Sequence, residues 1–384
     1  MNQRGIVMAM ALGVVVVVTT LGAAFLLRSL HESLLGNRHA NRQAAFYLAE
    51  AGLDRASINL RTPTDATDDV LTQTLSTGTL QIESTTELQP QVWRVISRGT
   101  SQGEVRRIEA VYQLTPQSAF QWSLFGSQQV NVSGNAQTDS YDSRIGPYSD
   151  PGNKAQNGDL GTNATTPGGI TVSGSIFIEG QVAVGSNVPN PTSVVTGYSP
   201  AFITGNPTVV SQSSSFPMPP VTVPAGLTCG DLTIQGNTTT SLSPTGGPLG
   251  NGTYCYSNLT LSGGSTLTAS GSVTVYLTGQ LVASGNSTVG VPATPKNMLF
   301  LMDSTAGALL QNGTLSGSTK FYGAVYGPQA TITISGNADV YGSIIGKQIN
   351  VTGSASIHYD EALTDLTTIS NLYQRSVVSW RDLN

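Results

Sequence analysis

Charged side chains are scarce in this sequence. Only 10% of its 384 residues are Asp, Glu, Lys or Arg, compared with about a quarter in average soluble proteins. Residues 119–359 carry a formal net charge of −3, from five basic residues and eight acidic ones. The basic residues are Arg144, Lys154, Lys296, Lys320 and Lys347; the acidic ones are Asp139, Asp142, Asp150, Asp159, Glu179, Asp231, Asp303 and Asp339.

This scarcity of charge disfavours two classes of function. Strong non-specific binding to nucleic acid rests on clustered Lys and Arg that neutralise phosphates. Cleavage of polysaccharides rests on converging carboxylates. The sequence also contains no recognisable nucleophile–base set and no phosphate-binding loop. We therefore expect a protein that is not an enzyme and that needs no cofactor.

Cysteine is almost absent as well. The chain has two cysteines, Cys229 and Cys255, and neither has another Cys or a His close to it in the sequence. That spacing disfavours a metal site. If the chain is exported to an oxidising compartment, a Cys229–Cys255 disulfide is the favoured interpretation, and two buried thiols are the alternative.

No charged residue occurs between Arg4 and Arg28. A bilayer core is crossed by about 20 apolar helical residues, whereas the apolar core of a signal peptide has about 7–15. The residues Gly22-Ala23-Ala24 resemble a signal-peptidase site, but the apolar run continues past them to Leu27. We therefore predict a transmembrane segment at residues 6–27.

The helical pattern does not stop at the end of the apolar run. There is no proline from Arg28 to Arg61, and Pro63 is the first clear terminator, since the residue before a proline is pushed out of the helical region. These features predict one continuous helix over residues 6–61. Its second half carries a stripe of mostly small side chains at helical spacing. The stripe residues are Ala45, Ala49, Gly52, Leu53, Ala56 and Leu60.

The pattern "RGIVMAMALGVVVVVTTLGAAFLLRS", followed by "QAAFYLAEAGLDRA", resembles the N-terminal segment of PilX-type minor pilins of type IV pili. The resemblance covers roughly residues 1–60. It implies that residues 1–5 are a leader, removed by a prepilin peptidase between Gly5 and Ile6. Further implied partners are other pilins, an inner-membrane assembly platform and the lipid bilayer. The implied location is the inner membrane before assembly and the cell-surface pilus afterwards.

One position departs from the pilin pattern. Most pilins carry Glu at the fifth mature residue, where it pairs with the charged amino terminus of a neighbouring subunit, but this chain has Met10 there. A subunit without that carboxylate lacks one charge-neutralising contact inside lipid, where an unpaired charge is costly. This favours a rare or terminal subunit over the main building block of a filament.

Residues 62–118 are predicted to contain a small antiparallel sheet. The stretches "TGTLQIESTTEL", "QVWRVISRGTS" and "EVRRIEAVYQL" read as three strands, separated by Gln89-Pro90 and by Gly103. We expect one face of this meander to pack against the small-residue stripe. The resemblance to pilins implies the same arrangement.

From about residue 119 a short phrase recurs, as in "VNVSGN", "ITVSGS", "LTIQGN", "LTLSGG", "LVASGN", "ITISGN" and "INVTGS". Each is a short apolar–polar strand that ends in glycine or glycine plus a small polar residue. A period near 20 residues predicts a β-solenoid over residues 119–359. A two-sheet sandwich is the alternative, although its strands usually recur every 8–12 residues. The complete prediction is an α+β fold: a long pilin helix packed on a small antiparallel sheet, with a large inserted parallel β-helix.

The tail at residues 360–384 departs from the repeat. Asp360 is predicted to cap a short helix that extends to about Leu372, and "YQRSVVSW" reads as a strand. We predict that this strand returns to the small sheet, which makes the solenoid an insertion. The architecture resembles the β-solenoid minor pilins of some DNA-uptake pili.

Several polar and aromatic clusters have two interpretations each. Four carboxylates among Asn and Gly could supply oxygen ligands to calcium, although their spacing fits no EF-hand and Asp also stabilises turns; they are Asp139, Asp142, Asp150 and Asp159. His358, Asp360 and Glu361 are expected to cap the solenoid end and begin the helix. Trp122 and Phe125 are expected to plug the first coil, with a stacking platform for a ligand as the alternative.

Three hypotheses for the function remain open. The first is a minor pilin at a filament tip that presents the solenoid for adhesion or for initiation of assembly, with a surface receptor as partner. The second is a DNA-capturing minor pilin for natural transformation. The third is a glycan hydrolase held at the surface by an uncleaved anchor. The sequence favours the first.

Overall fold

A computed structural model describes residues 3–60, 71–305, 312–367, 369 and 372–383. The chain divides into two compact units, one built from Met1–Thr115 with Tyr373–Asn384 and the other from Pro116–Leu372. The first unit contains a long helix and a five-stranded antiparallel sheet, and the second contains a parallel solenoid. The predicted α+β class, with the solenoid inserted into the chain of the smaller unit, is confirmed.

The first unit begins with one continuous helix. Its elements before the solenoid are α1 Gln3–Asn59, β1 Thr72–Leu75, β2 Gly78–Gln89, β3 Val92–Ser101 and β4 Glu104–Pro116. The strands β1 to β4 pair in sequence order as an antiparallel meander. The sequence predicts the three longer strands and misses the short β1.

The second half of α1 packs on the meander, as the small-residue stripe predicts. All six stripe residues are buried. Four of them, all except Ala45 and Gly52, form one apolar cluster with inward side chains of β2, β3 and β4, among them Ile82, Val95 and Ile108. The backbones approach closely because glycines lie at the contact. A Cβ atom on Gly99 of β3 would overlap the carbonyl oxygen of Ala45 and lie 2.6 Å from the backbone nitrogen of Ala49.

The second unit is a β-solenoid in which the backbone forms three narrow parallel sheets around one apolar core. Its strands are β5 Leu124–Gly134, β6 Gln137–Tyr141, β7 Leu160–Thr162, β8 Ile170–Gly174, β9 Phe177–Val184, β10 Val195–Thr196, β11 Ile203–Ser211, β12 Gly230–Ile234, β13 Thr239–Leu242, β14 Thr253–Leu261, β15 Thr266–Ala269, β16 Val273–Leu277, β17 Leu281–Ala283, β18 Thr288–Val289, β19 Met298–Met302, β20 Asn312–Leu315, β21 Lys320–Ile334, β22 Asp339–Val351 and β23 Ser356–Asp360. Short 3₁₀ helices occur at Pro191–Val194, Pro200–Phe202, Pro295–Asn297 and Glu361–Asp365.

The chain enters this solenoid within the stack and not at either end of it. The first strand, β5, pairs in parallel with β22, which is among the last. From β5 the coils proceed through β8 and β9 to β10 and β11 at one end. Residues 212–229 then lead to β12 at the opposite end, from which the coils return through β14, β16, β19 and β21 to β22.

The connecting segment crosses the outer side of one sheet and buries it. Phe216 and Val221 from this segment join a second apolar cluster that lies on the sheet's outer side and includes Leu301 and Tyr326. The Tyr326 hydroxyl donates to the Pro219 carbonyl over 2.8 Å. One sheet of the solenoid is therefore covered on both sides, as a continuous apolar strand such as Met298–Met302 requires.

Trp122 and Phe125 belong to that outer cluster, so the prediction that they plug the first coil is wrong. The Phe125 ring lies 4.8 Å from Phe216 and 5.5 Å from Trp122, centroid to centroid. The physical reason is the alternation along β5: Leu124 takes the inward position, so its neighbour must point outward.

One corner of the solenoid is a column of stacked glycines. Each has a positive φ, between 67° and 99°, and a Cβ on all but the terminal one would meet the backbone of the glycine in the next coil. In stack order they are Gly236, Gly263, Gly285, Gly317, Gly336, Gly353, Gly134 and Gly174. Only glycine adopts this conformation without strain, which explains the recurring phrase. The 40-residue gap from Gly134 to Gly174 is one coil with an inserted loop, 142–157, and not two periods of 20.

The C-terminal tail returns to the first unit as β24, Tyr373–Asp382, which lies beside β4 at the edge of the sheet. Asp360 caps a helix by accepting from the Ala362 amide at 3.1 Å, but this helix is a 3₁₀ turn that ends at Asp365 and does not extend toward Leu372 as predicted. The backbone of Leu366 is already extended, with φ −79° and ψ 102°. Residues 368, 370 and 371 of the predicted helix lie outside the described part of the chain.

Candidate functional site

The first half of α1 is apolar and has no protein partner in the described chain. Its most apolar 18-residue window has a mean hydropathy of 2.5, and none of that window is buried. By length and composition the helix can therefore cross a membrane. Met10, the residue at which the sequence departs from the pattern it resembles, is 67% exposed on this segment. Gly5 and Ile6 lie within α1, and cleavage between them stays a prediction.

A second candidate is an uncharged surface on the solenoid, which we call the Thr/Asn ladder. It is one column of outward-facing residues that occupy the same register in nine successive coils. In stack order they are Thr233, Thr260, Val282, Thr314, Thr333, Asn350, Asn131, Thr171 and Thr196. Each is exposed or half-exposed. Because parallel strands lie about 4.8 Å apart, nine rows extend over about 38 Å.

The ladder presents hydrogen-bonding side chains in eight of its nine rows, and Val282 is the exception. Its neighbours Asn131 and Asn350 bond to each other, with 2.9 Å from the amide nitrogen of the first to the amide oxygen of the second. The residues just before the corner glycines add further hydroxyl or amide groups beside it: Gln235, Ser262, Ser284, Ser316, Ser335, Thr352, Ser133 and Ser173. None of these residues carries a charge. The surface can therefore donate to and accept from a neutral partner at many points without strong electrostatic attraction.

A third candidate is a half-buried polar cluster beneath the loop 142–157. The carboxylate of Asp139 is buried and lies 2.6 Å from Nδ1 of His358. The Tyr148 hydroxyl donates to the same carboxylate over 2.8 Å, and its ring centroid is 3.9 Å from that of His358. Burial, and secondarily the bond to Asp139, raises the pKa of Tyr148 well above its usual value. These contacts attach the loop to the wall of the solenoid.

Lys154 completes this cluster as its cation. Its ammonium nitrogen lies 2.8 Å from Glu179, 3.2 Å from Asp150 and 3.6 Å from Asp139. The bond to Glu179 is the main reason that the pKa of Lys154 is raised above its usual value. An internal ammonium group therefore neutralises the carboxylates that a metal ion would need.

The four calcium candidates are divided among several protein partners. Asp139 and Asp150 contact Lys154, whereas Asp142 bonds to Arg144 at 2.8 Å, and this hydrogen bond lowers its pKa. Asp159 accepts from the Gln181 amide at 2.6 Å. Across the described residues, no three His, Cys, Asp or Glu side chains are grouped so that they could hold a metal ion. The calcium prediction therefore has no ligand set in this part of the chain.

His358, Asp360 and Glu361 have different surroundings, although they are adjacent in the sequence. His358 contacts Asp139, Asp360 caps the 3₁₀ turn, and Glu361 accepts from the Ser140 hydroxyl at 2.8 Å. Burial raises the pKa of Asp360. All three residues therefore make contacts that hold the 3₁₀ turn and the loop 142–157 against the coil that contains β23.

Sequence reasoning missed the partnership between His358 and Asp139, which are far apart in the chain. A usable signal exists, because each residue lies five positions after a corner glycine, Gly353 and Gly134 respectively. When the repeats are aligned on that glycine, the residues five positions after it form one column across successive coils. They are Tyr322, Tyr341, His358, Asp139 and Glu179. The rings of Tyr322 and Tyr341 are stacked at 4.5 Å.

The predicted disulfide is present, and it joins Cys229 to Cys255 near the β12 end of the solenoid. It connects the end of the crossing segment 212–229 to β14. No free cysteine remains in the chain.

Comparisons with known proteins give low overall similarity. Residues 257–366 match a family described only as a domain of unknown function, DUF7305. No curated protein matches this sequence significantly. Among solved structures, the competence-associated pilin ComZ from Thermus thermophilus is 13% identical, with a TM-score of 0.40; the match covers 89% of this chain and 97% of that one.

Two ice-binding proteins also match at this low level. The one from the Antarctic ascomycete Antarctomyces psychrotrophicus is 14% identical, with a TM-score of 0.31 over 63% of this chain and 96% of that one. The DUF3494 domain of ice-binding protein 1 from Shewanella frigidimarina is 14% identical, with a TM-score of 0.25 over 63% of this chain and 95% of that one.

Proposed function

We propose that this protein is a minor pilin, made as a membrane-inserted prepilin, that presents the solenoid at the tip of a type IV pilus or a related filament. One observation carries the proposal: α1 is a single helix whose first half is apolar and exposed, while its second half is buried against an antiparallel sheet. A helix of this kind is stable in lipid, and it is also stable when neighbouring helices replace the lipid. A globular domain that is only anchored to the membrane does not need one uninterrupted helix that runs from the membrane span into the domain.

Processing and assembly follow from the same helix. A prepilin peptidase hydrolyses the Gly5–Ile6 bond, and the mature helix then packs with other pilins delivered by an inner-membrane platform. Met10 supplies no carboxylate for a neighbouring amino terminus. If a neighbour's charged amino terminus lay beside Met10, that charge would be unpaired in lipid, which is costly. The tip of the filament, where a subunit has an axial neighbour on one side only, is therefore the best place for this subunit.

We further propose that the Thr/Asn ladder is the adhesive surface and that its receptor is uncharged. The ladder offers hydroxyl and amide groups over about 38 Å and no fixed charge. Two of the five basic residues of the solenoid, Arg144 and Lys154, are already paired with carboxylates. This disfavours DNA capture, because phosphate binding needs free cationic groups in clusters.

N-terminal sequencing of protein from sheared filaments tests the pilin assignment. We expect the mature chain to begin at Ile6 and to co-sediment with the filaments in small amounts. Gly5→Leu should block processing and leave the protein in the membrane. Gly13→Ala is the matched control, since Gly13 lies on the same helix with open space around it. A filament-free protein that still begins at Met1 contradicts the proposal.

A gel-shift experiment with varied salt distinguishes adhesion from DNA capture. Processed full-length protein is mixed with double-stranded DNA between 50 and 200 mM salt. We expect no retardation that weakens as salt rises. A shift that is strong at 50 mM and lost at 200 mM would support DNA capture, since displacement of counterions produces that dependence.

A further inference from the structure

The β12 end of the solenoid contains an open cleft of about 270 Å³, close to the lower limit of typical small-ligand sites, about 300 Å³. We propose that this cleft binds one neutral pyranose sugar, with the Tyr256 ring as a stacking surface and Asp231 as the acceptor for its hydroxyl groups. This inference goes beyond the proposed function, because the cleft is separate from the Thr/Asn ladder and does not depend on the pilin assignment.

The stacking surface arises because the core ends here. Tyr254 and Tyr256 of β14 are in register with Val275 and Leu277, which are fully buried in the next coil. At the terminal layer the two tyrosines are only half-buried, and both are among the residues that line the cleft. The C–H bonds of a sugar's apolar face carry positive hydrogens, which pack favourably on the negative face of an aromatic ring.

The two tyrosines differ in their hydroxyl groups. The Tyr254 hydroxyl donates to the Ser243 carbonyl at 3.0 Å and accepts from the Ser243 amide at 2.9 Å. It therefore holds the loop that follows β13. The Tyr256 hydroxyl has no such bond to a described residue, and burial of its ring raises its pKa. Its phenol is thus neutral at ordinary pH and able to donate to a ligand.

The acceptor is held in position before any ligand arrives. Oδ1 of Asp231 accepts from the backbone amide and the side-chain amide of Asn258, at 3.1 and 2.9 Å. Oδ2 has no hydrogen bond to a described residue, and no described cation pairs with this carboxylate. Hydrogen bonds from a neutral hydroxyl to an ionised carboxylate are stronger than those between neutral groups. The negative charge also excludes phosphate, sulfate and acidic sugars.

The lining of the cleft includes a disulfide cysteine and a glycine with open space around it. The cysteine is Cys255, whose disulfide to Cys229 joins β14 to the end of the crossing segment. A Cβ atom added to Gly230 would meet no atom within 4 Å, and this glycine does not have a positive φ. A larger side chain at Gly230 would therefore enter the cleft without strain in the backbone.

Ligand-observed saturation-transfer NMR tests the proposal on the full-length protein. The detergent should have no sugar headgroup, for example lauryldimethylamine oxide. The probes are D-glucose, D-galactose and N-acetyl-D-glucosamine, each titrated to 20 mM. We expect transfer to at least one of them, strongest at the ring protons. Gly230→Leu and Asp231→Asn should each weaken that binding at least tenfold.

Gly146→Leu is the matched control, because Gly146 also has open space around it but lies on the loop 142–157. It should bind as the unmodified protein does. Absence of transfer to all three sugars, or transfer that survives Gly230→Leu, overturns the proposal and leaves the tyrosines as a structural cap. Correct processing at Ile6 with no sugar binding would refute this inference alone and leave the pilin assignment intact.

Discussion

The close contact between α1 and β3 allows the stability cost of a substitution at Gly99 to be predicted. A methyl group at this position would overlap the Ala45 carbonyl oxygen and lie 2.6 Å from the Ala49 nitrogen. Both atoms belong to the helix backbone, so no side chain can rotate away and the helix must move. Overpacking of this kind costs about 3 kcal/mol, and the gain from replacing glycine within a strand offsets about 1 kcal/mol. We expect Gly99→Ala to lower the stability of the first unit by about 2 kcal/mol.

Hydrogen exchange detected by mass spectrometry measures this effect locally. A loss of 2 kcal/mol should accelerate exchange of the buried amides of β3 by about 30-fold, while exchange in the solenoid stays unchanged. Two matched variants calibrate the result. Gly52→Ala should cost less, because its overlap is with the hydroxyl of Ser97, which can rotate. Gly36→Ala has open space and should stabilise the helix by up to about 1 kcal/mol. Equal exchange rates in all three variants would refute the close-packing argument.

Three further predictions concern the solenoid. Cys229→Ser opens a disulfide with a sequence separation of 26, and should lower the free energy of unfolding by about 3.5 kcal/mol; an unchanged urea midpoint would contradict this. Gly336→Ala combines a φ of 72° with a Cβ 2.8 Å from the Gly317 oxygen, and thermal melting should show destabilisation by more than about 1 kcal/mol. Arg144→Gln removes the bond that lowers the pKa of Asp142. The pair stabilises the fold at pH values above the pKa that Asp142 has in the unfolded chain, and this stabilisation is lost as the pH falls through the lower pKa of Asp142 in the folded protein. The free energy of unfolding of the variant should therefore fall less steeply on acidification.

The parts of the fold that repeat locally can be predicted from the sequence. The helix, its small-residue stripe and the three long strands are visible because each has its own periodicity within a few turns or residues. The solenoid is visible because a glycine with positive φ must recur at every coil, as at Gly285 and Gly317. Each of these patterns can be read from residues that are close together in the sequence or from the spacing of successive glycines.

The order of the coils cannot be predicted in this way. Every short strand of the solenoid has a similar inward and outward pattern, so nothing local indicates that β5 pairs with β22 on one side as well as with β8 on the other. The path of residues 212–229 is decided by tertiary contacts such as the bond from Tyr326 to Pro219. Alignment on the corner glycines places His358 and Asp139 in one column, but it does not make them neighbours in that column, because their pairing depends on where the chain enters the stack.

Entry within the stack, and not at either end of it, has a consequence for how this protein can change over evolutionary time. The two points at which the solenoid joins the smaller unit are adjacent, because the Gln117 amide donates to the Leu372 carbonyl at 2.9 Å. Both ends of the stack are remote from that junction along the chain. Coils can therefore be gained or lost at either extremity without altering the join, so the length of the solenoid can diversify while the helix and the antiparallel sheet stay the same.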